Sequence, residues 1–431
     1  MNPRFGVLWM VFCMIETLTL SPGVTLRGVR DDRFRQACLS VQLAAPMAGE
    51  TAAENALIPA VLLRGTRRDP DLRAMTRHLD DLYGASVSTV VRRLGDYQTV
   101  GLYCALTDSR YALPGDRILE PMIDFLREIL RESPTEKGGF LPDFVEGERR
   151  NLISLLDSER NDKRAYAMSR LIRTVGAKDS FGVPRLGTRE ALEKIRPAGL
   201  YRRWENLLQT APAEIFYAGS APLAEVAEML RSLLPAEPRT PLPPQTDLTP
   251  APGQDIVQTM DVTQGQLCLA FVTPITLRDS QFAAMQLLNA ILGAGLTSKL
   301  FTRLREELSL CYSVSSGYYS AKGILTVYAG IDPENEPRAR EEILAQLEDC
   351  KNARFTPQEI QSGKEALCSG LRAVADSPSA LEGYYLPGAL TGLRWTPEEY
   401  AAAVRAVTAE DLTRAARTLR YHSSVFLKGE E

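Results

Sequence analysis

The strongest constraint on the fold is an order of secondary-structure signals that occurs twice. In the first half, the alternating apolar strand "QACLSVQLAAP" leads to an apolar helix ending in "LLRGT", a second helix "LRAMTRHLDDLYG", and strands "ASVSTVVRRL" and "YQTVGLYCAL". The second half repeats strand, helix, helix, strand, strand as "QLCLAFVTP", "SQFAAMQLLNAILGAG", "TSKLFTRLREEL", "CYSVSSGYYS" and "GILTVYAGI". Each half continues into further helices and closes on a short strand, "EIFYAG" or "SVFLKG". One of those helices, the long "FVEGERRNLISLLDSERNDKRAYAMSRLIRTV", includes a charge-rich stretch that reads as a solvated face. Seven of the 27 prolines fall within residues 235–252, where an extended spacer is favoured over helix or central strand. Strands grouped in meanders with helices alongside predict an α+β architecture and not a doubly wound sheet. The expectation is two tandem homologous domains at 14–234 and 256–431, joined by a Pro-rich linker at 235–255. Each is expected to be a mainly antiparallel sheet with helices packed on one face.

A chain of 431 residues is long for one core and comfortable for two. Hydrophobic residues at 45% and charged residues at 24% sit at the average for globular proteins, which argues against disorder and against membrane embedding. With 50 basic and 54 acidic side chains, no electrostatic grip on nucleic acid is expected. The seven cysteines form no C-x-x-C pair and read as buried thiols in a reducing compartment, so the expected location is cytoplasmic. Arg4 and the apolar residues after it form a weak signal-like segment that lacks a small-residue cleavage site and is too short to span a bilayer. The simpler reading starts the folded chain at Met14, with "ETLTLSPGVTLRGVR" as a polar lead-in to the first strand, and no membrane partner is expected.

The tandem halves, the helix entering "LLRGT", and above all "LGAGLTSKLFTRLREELSLCYSV" at 292–314 together resemble the insulinase/pitrilysin-type zinc peptidases, a group that includes the mitochondrial processing peptidase. The resemblance is greatest to a catalytically degenerate bacterial subfamily, the YfmF-like proteins. In active members an H-x-x-E-H motif on the helix before Gly-Thr binds zinc and activates water. The equivalent positions here are Ala56, Pro59 and Ala60, none of which carries a donor atom. The acidic third ligand of the family would fall at Ser154 or Leu155. Pro59 further predicts that this helix starts late or kinks. The only histidines, His78 and His422, lie in opposite halves and read as a solvated helix residue and a strand-entry residue. No metal site is expected in this chain.

The resemblance implies that the second half has kept its share of the site. Arg305 and Tyr312 match an Arg/Tyr pair that faces the zinc from the other domain. A guanidinium can hold a peptide carbonyl or carboxylate, and a phenol can donate to a developing oxyanion. Ser309 and Cys311 stand where the family usually has Gly and Ala. Gly293 and Gly295 are candidate substrate-binding positions because Gly permits close backbone approach, with a helix C-cap as the alternative. These features lead to a chain inactive alone that serves as the non-metal subunit of a two-chain zinc metallopeptidase. Zinc is expected in a paralogous partner bearing H-x-x-E-H, and an extended peptide as substrate, added as an edge strand. The subfamily resemblance also implies a link to elongation factor P modification. The alternative is a non-catalytic peptide-binding or scaffold pseudoenzyme, comparable to the peptidase-derived core subunits of respiratory complexes.

Overall fold

The computed structural model describes residues 15–430, so the readings of the N-terminal segment through residue 14 lie outside the described residues. The first sheet contains β1 (Ile15–Ser21), β2 (Val24–Arg30), β3 (Gln36–Pro46), β4 (Ser86–Leu94) and β5 (Tyr97–Thr107). After a two-residue ribbon of β6 (Thr135–Glu136) and β7 (Gly139–Phe140), β8 (Ala213–Gly219) completes it in the order β1-β2-β8-β3-β5-β4. The second sheet contains β9 (Asp255–Thr259), β10 (Gly265–Val272), β11 (Cys311–Tyr319), β12 (Ile324–Ile331) and β13 (Arg420–Lys428), in the order β11-β12-β10-β13-β9. The two match strand for strand. Both start from a parallel pair, β2 with β8 or β9 with β13, and every other pairing in them is antiparallel. Only β1 lacks a counterpart. The presumed polar lead-in is itself the hairpin β1–β2, turned at Gly23 with φ +80.

The central strands are buried on both faces, which explains why "QACLSVQLAAP" and "QLCLAFV" carry so little polar character. One face of each sheet is covered by helices of the same half. The other face receives a helix from the opposite half. The stretch expected as one long helix breaks at Asp162, whose extended backbone (φ −75, ψ 95) ends Pro142–Asn161. The Asp162 carboxylate then accepts from Ala165 N at 3.0 Å and caps Lys163–Val175. The first of these helices buries only Val145, as a solvated face should. The second lays Ala167, Leu171, Ile172 and Val175 on Cys268, Ala270, Ile324, Val425 and Leu427 of the second sheet. In return, Leu381 and Leu386 of helix Pro378–Thr391 pack on Val29, Cys38, Phe216 and Ala218 of the first. Each fully buried aliphatic side chain in these patches contributes about 1.5–3 kcal/mol, so the exchange is a substantial part of what joins the halves.

Residues 235–252 form no helix or strand and are bound along the body instead of spanning open solvent. The Gln245 side chain accepts from Asp96 N and donates to Leu94 O, both at 2.8 Å. Arg239 is buried and donates to Leu208 O and Ala211 O. Where the β4–β5 turn meets its counterpart, the β11–β12 turn, Lys322 is fully buried. Its Nζ lies 2.6 Å from Asp96 Oδ1 and 3.2 Å from Asp179 Oδ1, and donates to Thr246 O at 3.1 Å. An ammonium is tolerated at such a place only when carboxylates and carbonyls replace its water. No helix among the described residues is long and apolar enough to cross a membrane.

Candidate functional site

In the first half, the motif helix runs Ala52–Leu62 and passes through Pro59, so the expected late start is not found. Proline has no N–H to give the carbonyl one turn back, yet the helix continues past it and Leu63 N bonds Pro59 O at 3.2 Å. Ala56 and Pro59 are buried and Ala60 half-buried, while Ser154 and Leu155 are exposed on helix Pro142–Asn161. Hydrocarbon side chains cannot ligate zinc, so Ala56, Pro59 and Ala60 do not fit the ion. Among the described residues, no group of three or more His, Cys, Asp or Glu side chains is placed to hold a metal. What the segment retains is shape. A Cβ at Gly65 would come within 2.8 Å of the Pro70 main chain, and the buried Thr66 hydroxyl accepts from Asp69 N at 2.9 Å. His78 is not the solvated residue expected. Its ring packs 4.2 Å from Phe125, and its Nδ1 lies 2.7 Å from Asp69 Oδ2. His422, near the start of β13, reaches Ala251 O at 2.8 Å and pins the Pro-rich segment.

In the second half, helix Phe282–Leu292 stops at Gly293, whose carbonyl accepts from Ser316 N at 2.9 Å. A Cβ there would meet Ser316 Oγ at 2.8 Å, so this turn lies directly on β11, whereas Gly295 faces open space. Both readings of Gly293 meet at one residue, since it is the C-cap and also lines a cleft. That cleft, of about 460 Å³, lies between the Gly-rich turn and β11, the outermost strand of its sheet. Beyond the turn, Phe301–Glu307 winds as a π-helix, a form common at functional positions. Arg305 projects from it into the cleft, exposed, with its guanidinium carbon 5.0 Å from the Phe301 ring centre.

The departures at Ser309 and Cys311 lie at the entry to β11. Ser309 holds φ +52, a left-handed backbone in which Gly carries no Cβ penalty. Cys311 is buried and its thiol is pushed up to about 11 by that burial, partly offset by the nearby Arg305. Tyr312 is the extra residue of a β-bulge, because Cys311 pairs with Ile331 and Ser313 already with Gly330. The bulge turns Tyr312 outward, where it is 59% exposed and its hydroxyl donates to Asp332 at 3.1 Å. That hydrogen bond to a carboxylate raises the phenol above its ordinary range. Thus Gly293, Gly295 and Arg305 share one cleft, while Tyr312 is engaged with Asp332 on the bulge beside it.

Two participants were not visible in the sequence reading. Arg164, at the start of the helix borrowed from the first half, also lines the cleft and donates to Ser315 Oγ at 2.9 Å. It lay in a stretch read as solvated, and nothing local marks a contact made 151 residues away. Asp332 had no signal beyond its place just after β12.

Comparison with known proteins gives this divided geometry its lineage. The family description "Peptidase M16 inactive domain" matches residues 195–367. The probable inactive metalloprotease YmfF of Bacillus subtilis is 27% identical over 411 residues, covering 95% of this chain and 96% of its own. Residues 195–367 match an M16 peptidase domain, and the chain as a whole is similar to M16 proteins. The chain also matches the uncharacterized zinc protease YmxG of the same organism, at 27% identity over 38% of this chain and 41% of that one. A conserved protein from Enterococcus faecalis V583 has a crystal structure that superposes with a TM-score of 0.88, at 26% identity over 96% of this chain and 99% of that one. The expected insulinase/pitrilysin-type fold and the degenerate character of the motif agree with these relatives. The chain is thus similar to zinc protease-like proteins, among them one described as a probable inactive metalloprotease.

Proposed function

We propose that this chain is the non-metal subunit of a two-chain zinc metallopeptidase, paired with a paralogue that carries H-x-x-E-H. The partner supplies the metal and the group that activates water. This chain supplies peptide binding and charge stabilisation. The observation that carries the reading is Arg305, an exposed guanidinium in a cleft beside an edge strand, with no hydrogen bond or ion pair to a protein group among the described residues. An extended peptide laid along β11 would gain main-chain hydrogen bonds from the strand and a carbonyl contact from Arg305. Tyr312 would serve as oxyanion donor by exchanging its Asp332 partner for the reacting oxygen. The same reading carries the link to elongation factor P modification.

One observation favours a scaffold role instead: the single proton of the Tyr312 hydroxyl is committed to Asp332. Co-expression with an H-x-x-E-H paralogue and an assay of unfolded-peptide cleavage separate the two. Removal of one transition-state donor, by Arg305→Ala or Tyr312→Phe, is expected to lower turnover on the order of a hundredfold. A stable complex whose turnover ignores both substitutions would leave the scaffold reading standing.

A further inference from the structure

We propose that the cleft between the Gly-rich turn and β11 is a carboxylate-binding subsite, completed across the seam by Arg164, which recognises an acidic group on the peptide. The inference rests on the peptide-binding role above and adds to it the chemical character of the peptide. Arg164 reaches the cleft from the first half, with its guanidinium carbon 4.3 Å from the Tyr328 ring centre and Nη2 bonded to Ser315 Oγ. Arg305 enters from the π-helical stretch. Both cations therefore line one space, and neither forms an ion pair with an acidic side chain among the described residues. Asp162, Glu306 and Glu307 are near in sequence, but none lines the cleft. Asp162 caps its own helix, and Glu307 pairs with Arg303 at 2.9 Å.

Two guanidinium groups facing one space repel each other until an anion enters. A carboxylate matches the planar donor fork of each and can be held at two points. Ser313 and Ser315 line the same space. A neutral peptide offers these cations carbonyl dipoles but no opposite charge, and a basic peptide is repelled. The cleft runs along an edge strand, so the anion it suits is one carried by an extended chain. That carboxylate has two possible sources, an Asp or Glu side chain or the peptide's own C-terminus.

Short unfolded peptides of one neutral sequence separate these sources when tested against the full-length chain by fluorescence anisotropy. The set comprises an amidated neutral form, an amidated form with a single Glu, a form with a free C-terminal carboxylate, and an amidated form with a single Lys. At least one carboxylate form is expected to bind on the order of tenfold more tightly than the neutral one, the difference made by one charge-assisted contact. Added salt is expected to narrow the gap. Arg164→Gln is expected to abolish the preference, and Arg164→Lys, which keeps the charge, to retain part of it. Equal binding across the set, tighter binding of the Lys form, a preference indifferent to Arg164→Gln, or no binding at all would each overturn the subsite. If acidic preference is absent while cleavage by the two-chain complex still depends on Arg305 and Tyr312, the subsite fails and the subunit role survives.

Discussion

The two sheets share one topology, and each carries a seam between an outer strand and a borrowed helix, but the two seams are finished differently. At the first, Arg92 of β4 grips Glu382 of helix Pro378–Thr391 at two points, 2.8 and 2.7 Å. Glu382, whose side chain is 2% exposed, also accepts from Ser40 Oγ at 2.9 Å. At the second seam, Arg164 meets only a serine hydroxyl and an aromatic face. One arginine is neutralised inside the protein, whereas the other keeps most of its hydrogen-bonding capacity. The contrast suggests that the repeat has specialised, with the first seam closed for cohesion and the second left open for a ligand.

Substitutions at the seams test that contrast, and the largest effect is expected where the two turns meet. Lys322→Met leaves Asp96 and Asp179 facing one another without their shared cation and is expected to cost about 4 kcal/mol in chemical denaturation. Acid should weaken the same contact in the unaltered protein. Burial alone would push the Asp96 carboxyl up, but hydrogen bonds from Lys322, Ser180 and Thr246 together hold it below its ordinary range. Its stabilising contribution is therefore complete above the unfolded value near about 3.9 and is lost as pH falls through the lower folded value. Denaturation midpoints measured at successively lower pH should decline across that window.

Arg92→Ala comes next, at about 3 kcal/mol, because Glu382 stays buried without its partner. Ser309→Gly should raise stability by about 1 kcal/mol by relieving the left-handed backbone. Arg164→Ala should have the smallest effect, about 0.5 kcal/mol, since only an exposed cation–aromatic contact and one hydroxyl partner are lost. Equal losses for Arg92→Ala and Arg164→Ala would erase the distinction between the seams.

Much of the architecture could be read from sequence, since strands such as β3, β5 and β11 have unmistakable patterns and the repeat fixes their order. The break at Asp162 was missed because its cue is one capping carboxylate inside a charged run that otherwise propagates as helix. The destination of Lys163–Val175 was missed for a different reason, because an apolar stripe states that it is buried but not against which sheet. At the site, the absence of donor atoms at Ala56, Pro59 and Ala60 was visible directly. Tyr312 could be located but its environment could not, since the bulge is a mismatch between two strands and Asp332 lies on the far side of the next one. Arg164 and Lys322 are governed by tertiary neighbours alone, and a cation read in isolation is indistinguishable from a solvated one.

The exchanged helices set a rule for recombination. A crossover placed in the proline-rich segment would move Lys163–Val175 onto a foreign sheet and leave Pro378–Thr391 facing a foreign surface in return. Both patches would have to be complementary at once for such a chimaera to be viable. The unit that can be inherited or grafted intact is consequently a sheet together with the helix that covers it from across the molecule, and that unit is discontinuous in the gene.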